Sequence, residues 1–413
     1  MSSTPIPSLT DPAVQVCPYA AYKTLRDEAP VYFDPLSKSW VVTRYEDIRR
    51  IAQDAERFSN ETQQLLATRE STPGAATIAR MFAEHGYVTP QVLVNSDPPR
   101  HRPYRRVVDK AFSPLRIRQL EPQIESIADE LIDGFSGAGR AEFVSQFAVP
   151  LPMLVIADQL GVPRTMKDEF KRWSDSLIGV ANVGNDEAMQ IAHVRNIIEM
   201  QNFLAQEMKE LLARPRSCIL NDIAHAENED GTAMSLEERL SIAQQILVAG
   251  NETTTNTLGQ ALIYVIQYGL EASLRTNPES IPQFVEEALR LTAPLQGLPR
   301  LVKEDVELHG HTIPKGSIVW LRWSAGNRDE RTFAAPEELN VDRPNASQHV
   351  TFGYGIHYCV GNQLARAELR IGFKRLLARL CNIGFDGSNA TEYLPHFFAF
   401  GPRKVNIAFE SAG

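Results

Sequence analysis

Hydrophobic positions in the central part of the chain recur with the period of an α-helix. Between about residue 115 and residue 290 they are mostly three and four residues apart. The clearest set is Leu120, Ile124, Ile127, Ala128, Leu131 and Ile132. Val31-Tyr32-Phe33 and Trp40-Val41-Val42 are strand-like runs that flank a turn, and residues 306–320 resemble a hairpin through His309-Gly310-His311. The pattern predicts a mainly α-helical protein with small β-sheets.

One of the predicted helices is unusually long. Ser235 and Glu238 have the spacing of a capping box, with Ser235 as the N-cap. A helix that begins there can run to about Val265, which is roughly 30 residues or about 45 Å. Residues 59–79 and the polar cluster 228–232 are the most loop-like parts of the chain.

Composition indicates an ordinary globular protein. The chain has 413 residues, of which 43% are hydrophobic and 23% are charged. This length suggests roughly two or three domains if it is taken alone. The formal net charge of -9 argues against general affinity for nucleic acid.

The cysteines and the N-terminus bear on location. Cys17, Cys218, Cys359 and Cys381 are scattered without CxxC spacing, which suits a reducing cytoplasm and excludes a disulfide scaffold or a zinc site. The first residues are polar and lack the apolar run of a signal peptide, and no stretch of about 18 apolar residues predicts a membrane span.

A single cysteine lies in a glycine-rich segment, residues 351–361, with the sequence Thr-Phe-Gly-Tyr-Gly-Ile-His-Tyr-Cys-Val-Gly. Glycines permit loop conformations that other residues resist. The helix-like run that follows would direct its positive end at Cys359 and favour the thiolate. A thiolate so placed suits one bond to a metal, and haem iron is the obvious candidate. The alternative is a buried structural cysteine in a turn.

The pattern Phe352-x-x-Gly355-x-His357-x-Cys359-x-Gly361 resembles the haem-binding signature of the cytochrome P-450 monooxygenases. The resemblance implies one triangular, mainly helical domain over residues 1–413. It also implies haem b (iron protoporphyrin IX), with Cys359 as the metal ligand and Phe352 and Gly353 beside the cofactor. The similarity is to the soluble bacterial members, which implies a cytoplasmic protein.

The middle of the long helix carries the sequence Ala249-Gly250-Asn251-Glu252-Thr253-Thr254. Glycine costs roughly 1 kcal/mol relative to alanine inside a helix, and threonine hydroxyls compete for backbone carbonyls. We therefore expect a local opening of the helix here, with an acid and an alcohol side by side as a proton relay. The alternative is a polar, kinked helix with exposed threonines.

The resemblance assigns roles to this segment. It is similar to the acid–alcohol pair of the family, which implies that Thr253 stabilises dioxygen, that Glu252 passes protons from solvent, and that Ala249 and Gly250 face the haem. Many relatives carry aspartate at the position of Glu252, so the longer side chain makes the geometry of the relay an open question.

Haem propionates need cations or donors, because a bare buried carboxylate is costly. His101 and Arg105 are four residues apart and share one helix face. The resemblance implies that these two, together with Arg300 and His357, bind the propionates. It also identifies Glu287-Ala-Leu-Arg290 as the ExxR pair of the family, a scaffold ion pair that Arg343 completes.

The resemblance also implies the segments that contact the substrate. These are residues 60–94, one face of the long helix, residues 294–298 and residues 396–400. The residues singled out in them are Gln245, Val248, Leu295, Gln296 and Phe398. The segments are mainly apolar, which predicts an apolar small molecule and leaves fatty acids, terpenoids, steroids and aromatic compounds open. The two glutamines either hold a polar group of the substrate or are satisfied by the backbone.

Electrons must come from a separate protein, because the sequence shows no flavin or iron–sulfur pattern. A local basic patch in an acidic protein would attract an acidic ferredoxin or flavodoxin. The candidates for this patch are Arg102, Arg106, Lys110, Arg116, Arg366 and Arg370. The competing interpretation is a generic solvated helix face.

The leading hypothesis is a haem-thiolate monooxygenase that inserts one oxygen atom from O2 into a C–H bond or a double bond. A peroxide-driven hydroxylase on the same fold is the second, although such relatives tend to lack the acid–alcohol pair. A non-catalytic haem sensor or carrier is the third, and Glu252 and Thr253 argue against it.

Overall fold

The computed structural model describes residues 8–62, 74–179, 186–387 and 390–412. Its contacts divide the chain into two compact units. Residues 1–60, 121–151 and 253–413 form the first, here called the sheet unit. Residues 61–120 and 152–252 form the second, the helical unit. The single domain expected over residues 1–413 stays a prediction.

Helices account for most of the described residues. The α-helices are α1 Pro12–Val16, α2 Tyr19–Glu28, α3 Tyr45–Gln53, α4 Ala75–His85, α5 His101–Ala111, α6 Pro114–Ser136, α7 Pro150–Gln159, α8 Lys167–Gly179, α9 Glu187–Ala213, α10 Ile219–Ala224, α11 Leu236–Gln267, α12 Glu271–Thr276, α13 Ile281–Thr292, α14 Trp323–Gly326 and α15 Asn362–Arg379. A π-helical segment, Val144–Ala148, precedes α7. The strands are β1 Val31–Asp34, β2 Ser39–Val42, β3 Phe58–Ser59, β4 Arg140–Glu142, β5 Leu298–Val302, β6 Val306–Leu308, β7 His311–Ile313, β8 Ile318–Leu321, β9 Leu380–Phe385, β10 Thr391–Tyr393 and β11 Pro402–Ser411.

All of these strands belong to the sheet unit. Five of them form a sheet in the order β1-β2-β8-β5-β3, in which only the β2–β8 pair is parallel. Strand β11 pairs with β10, β4 and β9 in a second sheet. The strand pair predicted at residues 31–33 and 40–42 is confirmed as β1 and β2.

The hairpin predicted over residues 306–320 is shorter than expected. Strands β6 and β7 form it alone, with His309 and Gly310 at the turn. Both turn residues have positive φ, the backbone that a two-residue hairpin turn requires. Strand β8 was expected in this hairpin but belongs to the five-stranded sheet, where residues Ile318 and Val319 are buried.

The core of the sheet unit lies between its five-stranded sheet and the adjoining helices. Val42, Val319 and Leu321 from the sheet pack with Ile48 of α3 and with Phe333, all of them almost completely buried. Strands β2 and β8 are buried or half-buried along their whole length, as central strands of a sheet covered on both faces are.

A buried ion cluster lies beside this core and confirms the predicted scaffold pair. Glu287 accepts bonds from Arg290 Nε and Nη2 at 2.7 and 2.8 Å, and from Arg343 Nε at 2.9 Å. Arg290 also donates to the carbonyl oxygens of residues 327 and 336. The cluster joins α13 to the chain around residues 334–343, because a buried charge is tolerated only when all of its bonds are made.

The helical unit is held by apolar packing between α8 and α9 and by buried amide bonds. Trp173 of α8 packs against Phe203 of α9, with ring centroids 5.3 Å apart. Gln201 of α9 bonds to both backbone groups of Tyr87, accepting at 2.9 Å and donating at 3.1 Å.

The loop predicted over residues 59–79 is wrong at its end, because helix α4 begins at Ala75. Residues 63–73 of the predicted loop lie outside the described residues.

The capping box predicted for the long helix is confirmed. Ser235 N–H donates to Glu238 Oε2 at 2.8 Å, and Glu238 N–H donates to Ser235 Oγ at 3.2 Å. Helix α11 then runs for 32 residues. In the part of the chain that the structure describes, none of the helices combines the length and the apolar character needed to cross a membrane.

The opening predicted in the middle of α11 is wrong, since residues 249–254 are α-helical throughout. Asn251 in this stretch and two threonines just after it form hydrogen bonds through their side chains. Asn251 donates to Ser174 Oγ at 3.0 Å in the helical unit. In the sheet unit, Thr255 donates to the Ala148 carbonyl at 3.0 Å, and Thr257 donates to the Thr253 carbonyl at 2.9 Å. The Thr257 hydroxyl therefore does bond to a carbonyl of its own helix, but the helix remains continuous.

Candidate active site

The loop before Cys359 depends on two glycines in the left-handed region. Gly353 has φ +73° and Gly355 has φ +77°. A Cβ on Gly355 would also lie 2.5 Å from the Ala52 carbonyl oxygen, so this position excludes a side chain on two counts. Gly361 differs, because its φ is -79°. A Cβ there would be 4.0 Å from Cys359 Sγ, so the third glycine is not required by backbone conformation.

Both peptide groups of Cys359 are fixed by hydrogen bonds. Its N–H donates to the Phe352 carbonyl at 2.9 Å. Its carbonyl accepts from Asn362 Nδ2 at 2.7 Å, in the first turn of α15. The Cys359 side chain is half-buried and is a free thiol. The N-terminus of an 18-residue helix follows within three residues, which favours negative charge on the sulfur.

The sheet unit also contains two of the predicted propionate ligands. Arg300 lies on β5, is 3% exposed, and donates from Nη1 to the Pro299 carbonyl at 2.8 Å. His357 ends the short 3-10 turn Gly355–His357, two residues before the cysteine. A buried guanidinium needs a negative partner or several acceptors. A half-buried thiol, a buried guanidinium and a half-buried imidazole in one unit are a donor set that suits a haem with a single thiolate ligand, so these residues fit that cofactor.

The other two predicted propionate ligands lie on α5 in the helical unit. His101 is 5% exposed, and burial, followed by the charge of Arg105, lowers the pKa of its imidazole. Arg105 is half-buried, and its Nε donates to Asp109 at 2.7 Å. His101 is therefore a neutral hydrogen-bond donor, and Arg105 carries the positive charge of the pair.

The acid and the alcohol predicted on α11 are both half-buried. Burial raises the pKa of the Glu252 carboxyl. Gly250 and Val248 are half-buried as well, whereas Ala249 is exposed. A carboxyl whose pKa lies above its ordinary range holds a proton closer to neutral pH, which suits a group that delivers protons.

Glu368 is a buried acid on α15 that the sequence analysis did not single out. Its side chain is 2% exposed, and burial raises its pKa to about 8, against a smaller effect of its bond with Thr254 on α11. The only available signal was its position nine residues after the cysteine, on a helix whose other polar residues are half-buried or exposed. A buried acid of this kind is uncharged at neutral pH.

Two of the predicted substrate segments in the sheet unit are joined by backbone bonds. Gln296 N–H donates to the Phe398 carbonyl at 2.7 Å, and Leu295 pairs with Ala399 in an isolated bridge. The Phe398 side chain is 37% exposed and makes an edge contact with His396. The structure therefore brings Leu295, Gln296 and Phe398 together.

The two predicted glutamines differ in how their amides are bonded. In the helical unit, Gln245 donates to the Val92 carbonyl at 2.9 Å and accepts from Val94 N–H at 3.4 Å, so the backbone satisfies both ends. In the sheet unit, Gln296 is 2% exposed and donates to the Ala293 carbonyl at 2.8 Å. Among the described residues, nothing donates to its Oε1.

Several of the arginines predicted for a partner surface are bound within the protein. Arg366 makes two bonds to Glu286, at 2.5 and 3.0 Å, and Arg370 donates to Glu121 at 2.5 Å. Their charges are therefore neutralised locally. This favours the interpretation of α15 as a generic solvated helix face over that of a partner-binding surface. In the helical unit, the α5 residues Arg102, Arg106 and Lys110 recur every four residues and are exposed. Arg116, in the same unit, lies 3.7 Å from Asp222.

Comparison with known proteins places the chain in a family. Residues 270–381 match the family profile for Cytochrome P450. A putative cytochrome P450, YjiB, from Bacillus subtilis (strain 168) is 36% identical over 87% of this chain and 87% of the relative. Vitamin D(3) 25-hydroxylase from Pseudonocardia autotrophica is 33% identical over 87% of this chain and 86% of the relative. The structure of cytochrome P450 CYP109Q5 from Chondromyces apiculatus covers 98% of both chains, with a TM-score of 0.86 and 32% identity.

This chain belongs to the cytochrome P450 family. It is therefore a monooxygenase, and its cofactor is haem b. The fold predicted from the sequence, mainly α with small β-sheets, is confirmed.

We expect Glu368→Gln to remove a pH dependence of stability. Between pH 4.5, the ordinary value of its pKa, and about 8, the folded protein keeps this proton and the unfolded chain loses it. The free energy of unfolding of the wild type should therefore fall by about 1.4 kcal/mol per pH unit in this window. Denaturant titrations at several pH values should show the glutamine variant gaining stability over the wild type as pH rises. The exposed Glu304→Gln is the matched control, and parallel profiles for wild type and Glu368→Gln would contradict the expectation.

Proposed function

We propose that this protein inserts one oxygen atom from O2 into a C–H bond or a double bond of an apolar small molecule, with haem b held through Cys359. One observation carries the assignment of the ligand: a half-buried thiol at the start of α15 with both of its peptide groups fixed. Haem, when bound, supplies the activation of dioxygen. The other roles belong to residues of this chain.

In this proposal, uncharged residues pack against the cofactor and residues with N–H donors bind its propionates. Phe352 and Gly353 pack on the cysteine side, and Ala249 and Gly250 face the cofactor from α11. His101, Arg105, Arg300 and His357 bind the propionates. Support comes from the chemistry of these side chains, because guanidinium and imidazole N–H groups are the donors that bind carboxylates such as propionates.

Glu252 and Thr253 are the proposed catalytic residues. Thr253 would donate a hydrogen bond from its hydroxyl to the substrate dioxygen, and Glu252 would hold a proton at its carboxyl and pass it inward from solvent. The raised pKa of Glu252 supports the second role, because burial makes this carboxyl keep its proton to a higher pH than an ordinary glutamate does.

The proposed substrate is an apolar molecule of steroid-like character with one polar group. Val248, Leu295 and Phe398 supply apolar surface, and Gln245 shapes the site through its bonds to the backbone. The unused Oε1 of Gln296 supports a hydrogen bond to a substrate hydroxyl. The vitamin D(3) 25-hydroxylase among the relatives acts, by its name, on a molecule of this class.

The proposed redox partner is an acidic ferredoxin or flavodoxin that binds the exposed stripe Arg102, Arg106 and Lys110 on α5. Arg102 lies 3.8 Å from Glu229, so the positive charge of the stripe rests mainly on Arg106 and Lys110, on a protein of net charge -9. Such a patch attracts an acidic partner to this surface in preference to the other surfaces of the protein.

We also propose that residues 1–413 form one functional domain. We further propose a cytoplasmic location, which is supported by the four free cysteines.

We expect Cys359→Ser and Thr253→Ala to fail in different ways. The serine variant should lose the red-shifted band of the reduced, carbon monoxide-bound haem, because the thiolate ligand is gone. The Thr253→Ala variant should keep that band, because the thiolate ligand is unchanged. It should form less product for each electron pair supplied by the redox partner, because the hydroxyl that would position dioxygen for protonation is missing. Survival of the band in Cys359→Ser would contradict the ligand assignment. Peroxide-driven activity unaffected by Thr253→Ala would favour the peroxide hydroxylase instead.

We expect Gln296→Leu to weaken binding of hydroxylated substrates selectively. A hydrogen bond of ordinary strength corresponds to roughly a two- to tenfold change in Kd. The measurement is the change of ferric haem from low to high spin on titration with a sterol alcohol and with the matching hydrocarbon. Gln267→Leu, at an exposed position, is the control. Equal losses for the alcohol and the hydrocarbon would argue against a bond from Gln296.

We expect reversal of charge on α5 to weaken binding of the redox partner. The double variant Arg106→Glu and Lys110→Glu should reduce affinity for an acidic ferredoxin by about tenfold at low salt, with a smaller loss at high salt. The rate of the first electron transfer against ferredoxin concentration measures this. The control is Arg403→Glu with Lys404→Glu, two exposed cations of the sheet unit. The same loss in both double variants would mean that only net charge matters.

A further inference from the structure

One guanidinium in the sheet unit contacts the Cys359 loop by two separate routes. Arg366 lies on α15, seven residues after the cysteine, and is about four-fifths buried. The first route is a bond from its Nη1 to Asn362 Oδ1 at 2.8 Å. Asn362 Nδ2 in turn donates to the Cys359 carbonyl at 2.7 Å. The side chain of Arg366 therefore orients the amide that holds one peptide group of the cysteine.

The second route passes through an aromatic ring. The Arg366 guanidinium lies over the face of Phe352, 4.5 Å from the ring centroid. The carbonyl of Phe352 accepts the N–H of Cys359 at 2.9 Å. A guanidinium on an aromatic face is attracted by the electrons of the ring and restricts its position. The same cation thus restrains the residue that holds the other peptide group.

Arg366 is itself held by a carboxylate on α13. Glu286 accepts from Arg366 Nε and Nη2 in the two-bond geometry that only arginine provides. His349 Nε2 lies 3.4 Å from Glu286 Oε2, and its ring is 5.6 Å from that of Phe352. Burial opposes the charge on Glu286, but the nearby His349 and the bonds from Arg366 lower its pKa to about 2, so it remains a carboxylate.

We propose that Arg366, anchored by Glu286, is a positioning residue that fixes both peptide groups of Cys359 and thereby keeps the thiolate bonded to the haem. The inference rests on the proposed function, since it assumes that Cys359 is the ligand. A lysine at position 366 would keep the charge but lose the planar fork, the two bonds to Glu286 and the stacking on Phe352. The thiolate loop would then be free to shift while the fold around it is retained.

The test compares Arg366→Lys with Arg370→Lys, the matched control one helical turn further along α15. Arg370 makes the same kind of bond to a carboxylate, Glu121, but lies outside the contacts of Phe352 and Asn362 among the described residues. Each haem-loaded variant is reduced, saturated with carbon monoxide and warmed. The quantity measured is the rate at which the red-shifted thiolate band is replaced by the band of haem without its thiolate, with circular dichroism followed in parallel.

We expect the thiolate band of Arg366→Lys to decay about ten- to hundredfold faster than that of the wild type, the factor for loss of a charge-assisted hydrogen bond. Arg370→Lys should decay at the wild-type rate, and Asn362→Ala should decay faster by a smaller factor. Circular dichroism should show similar unfolding temperatures for Arg366→Lys and Arg370→Lys.

Equal decay rates for Arg366→Lys and the wild type would overturn the inference. If Arg366→Lys does not take up haem, Asn362→Ala decides: decay at the wild-type rate overturns the inference, and faster decay supports it. A wild type that lacks the thiolate band altogether would instead refute the proposed role of Cys359. The two failures are therefore distinguishable.

Discussion

The position of one sulfur atom constrains the sheet unit more than any other feature. The backbone of Cys359 is held on both sides, by the Phe352 carbonyl and by the Asn362 amide. The holding residues depend in turn on Arg366 and on its carboxylate, Glu286. A loop with glycines in the left-handed region is otherwise free to adopt many conformations, so these bonds replace the stability that a regular element would provide.

Buried charge is used in three distinct ways in this protein. Glu287 with Arg290 and Arg343 is a closed cluster in which the charges satisfy one another, and its role is structural. Arg300 is a buried cation that donates to a backbone carbonyl. Glu368 is a buried acid paired with a threonine hydroxyl, and it avoids the cost of burial by keeping its proton. Burial alone therefore does not indicate the role of a charged residue; the identity of its partner does.

The long helix shows where local reasoning succeeded and where it failed. The capping box at Ser235 was predictable because both of its hydrogen bonds are made within four residues. The expected opening at residues 249–254 did not form, and Asn251 and the neighbouring Thr255 bond to other segments. Those partners, Ser174 and Ala148, are about 77 and 107 residues away in sequence, and no local pattern identifies them.

The sequence by itself determined the helical character of the chain, the strand pair at residues 31–42, the capping box and the pattern around Cys359, because each depends on residues that are near neighbours. Only the tertiary structure decided that β8 joins the five-stranded sheet, that Gln245 is bound by the backbone while Gln296 keeps an unused acceptor, and that Arg366 is bound to Glu286. The physical reason is that hydrogen bonding and burial depend on which distant segments meet. The spacing of residues along the chain does not contain that information.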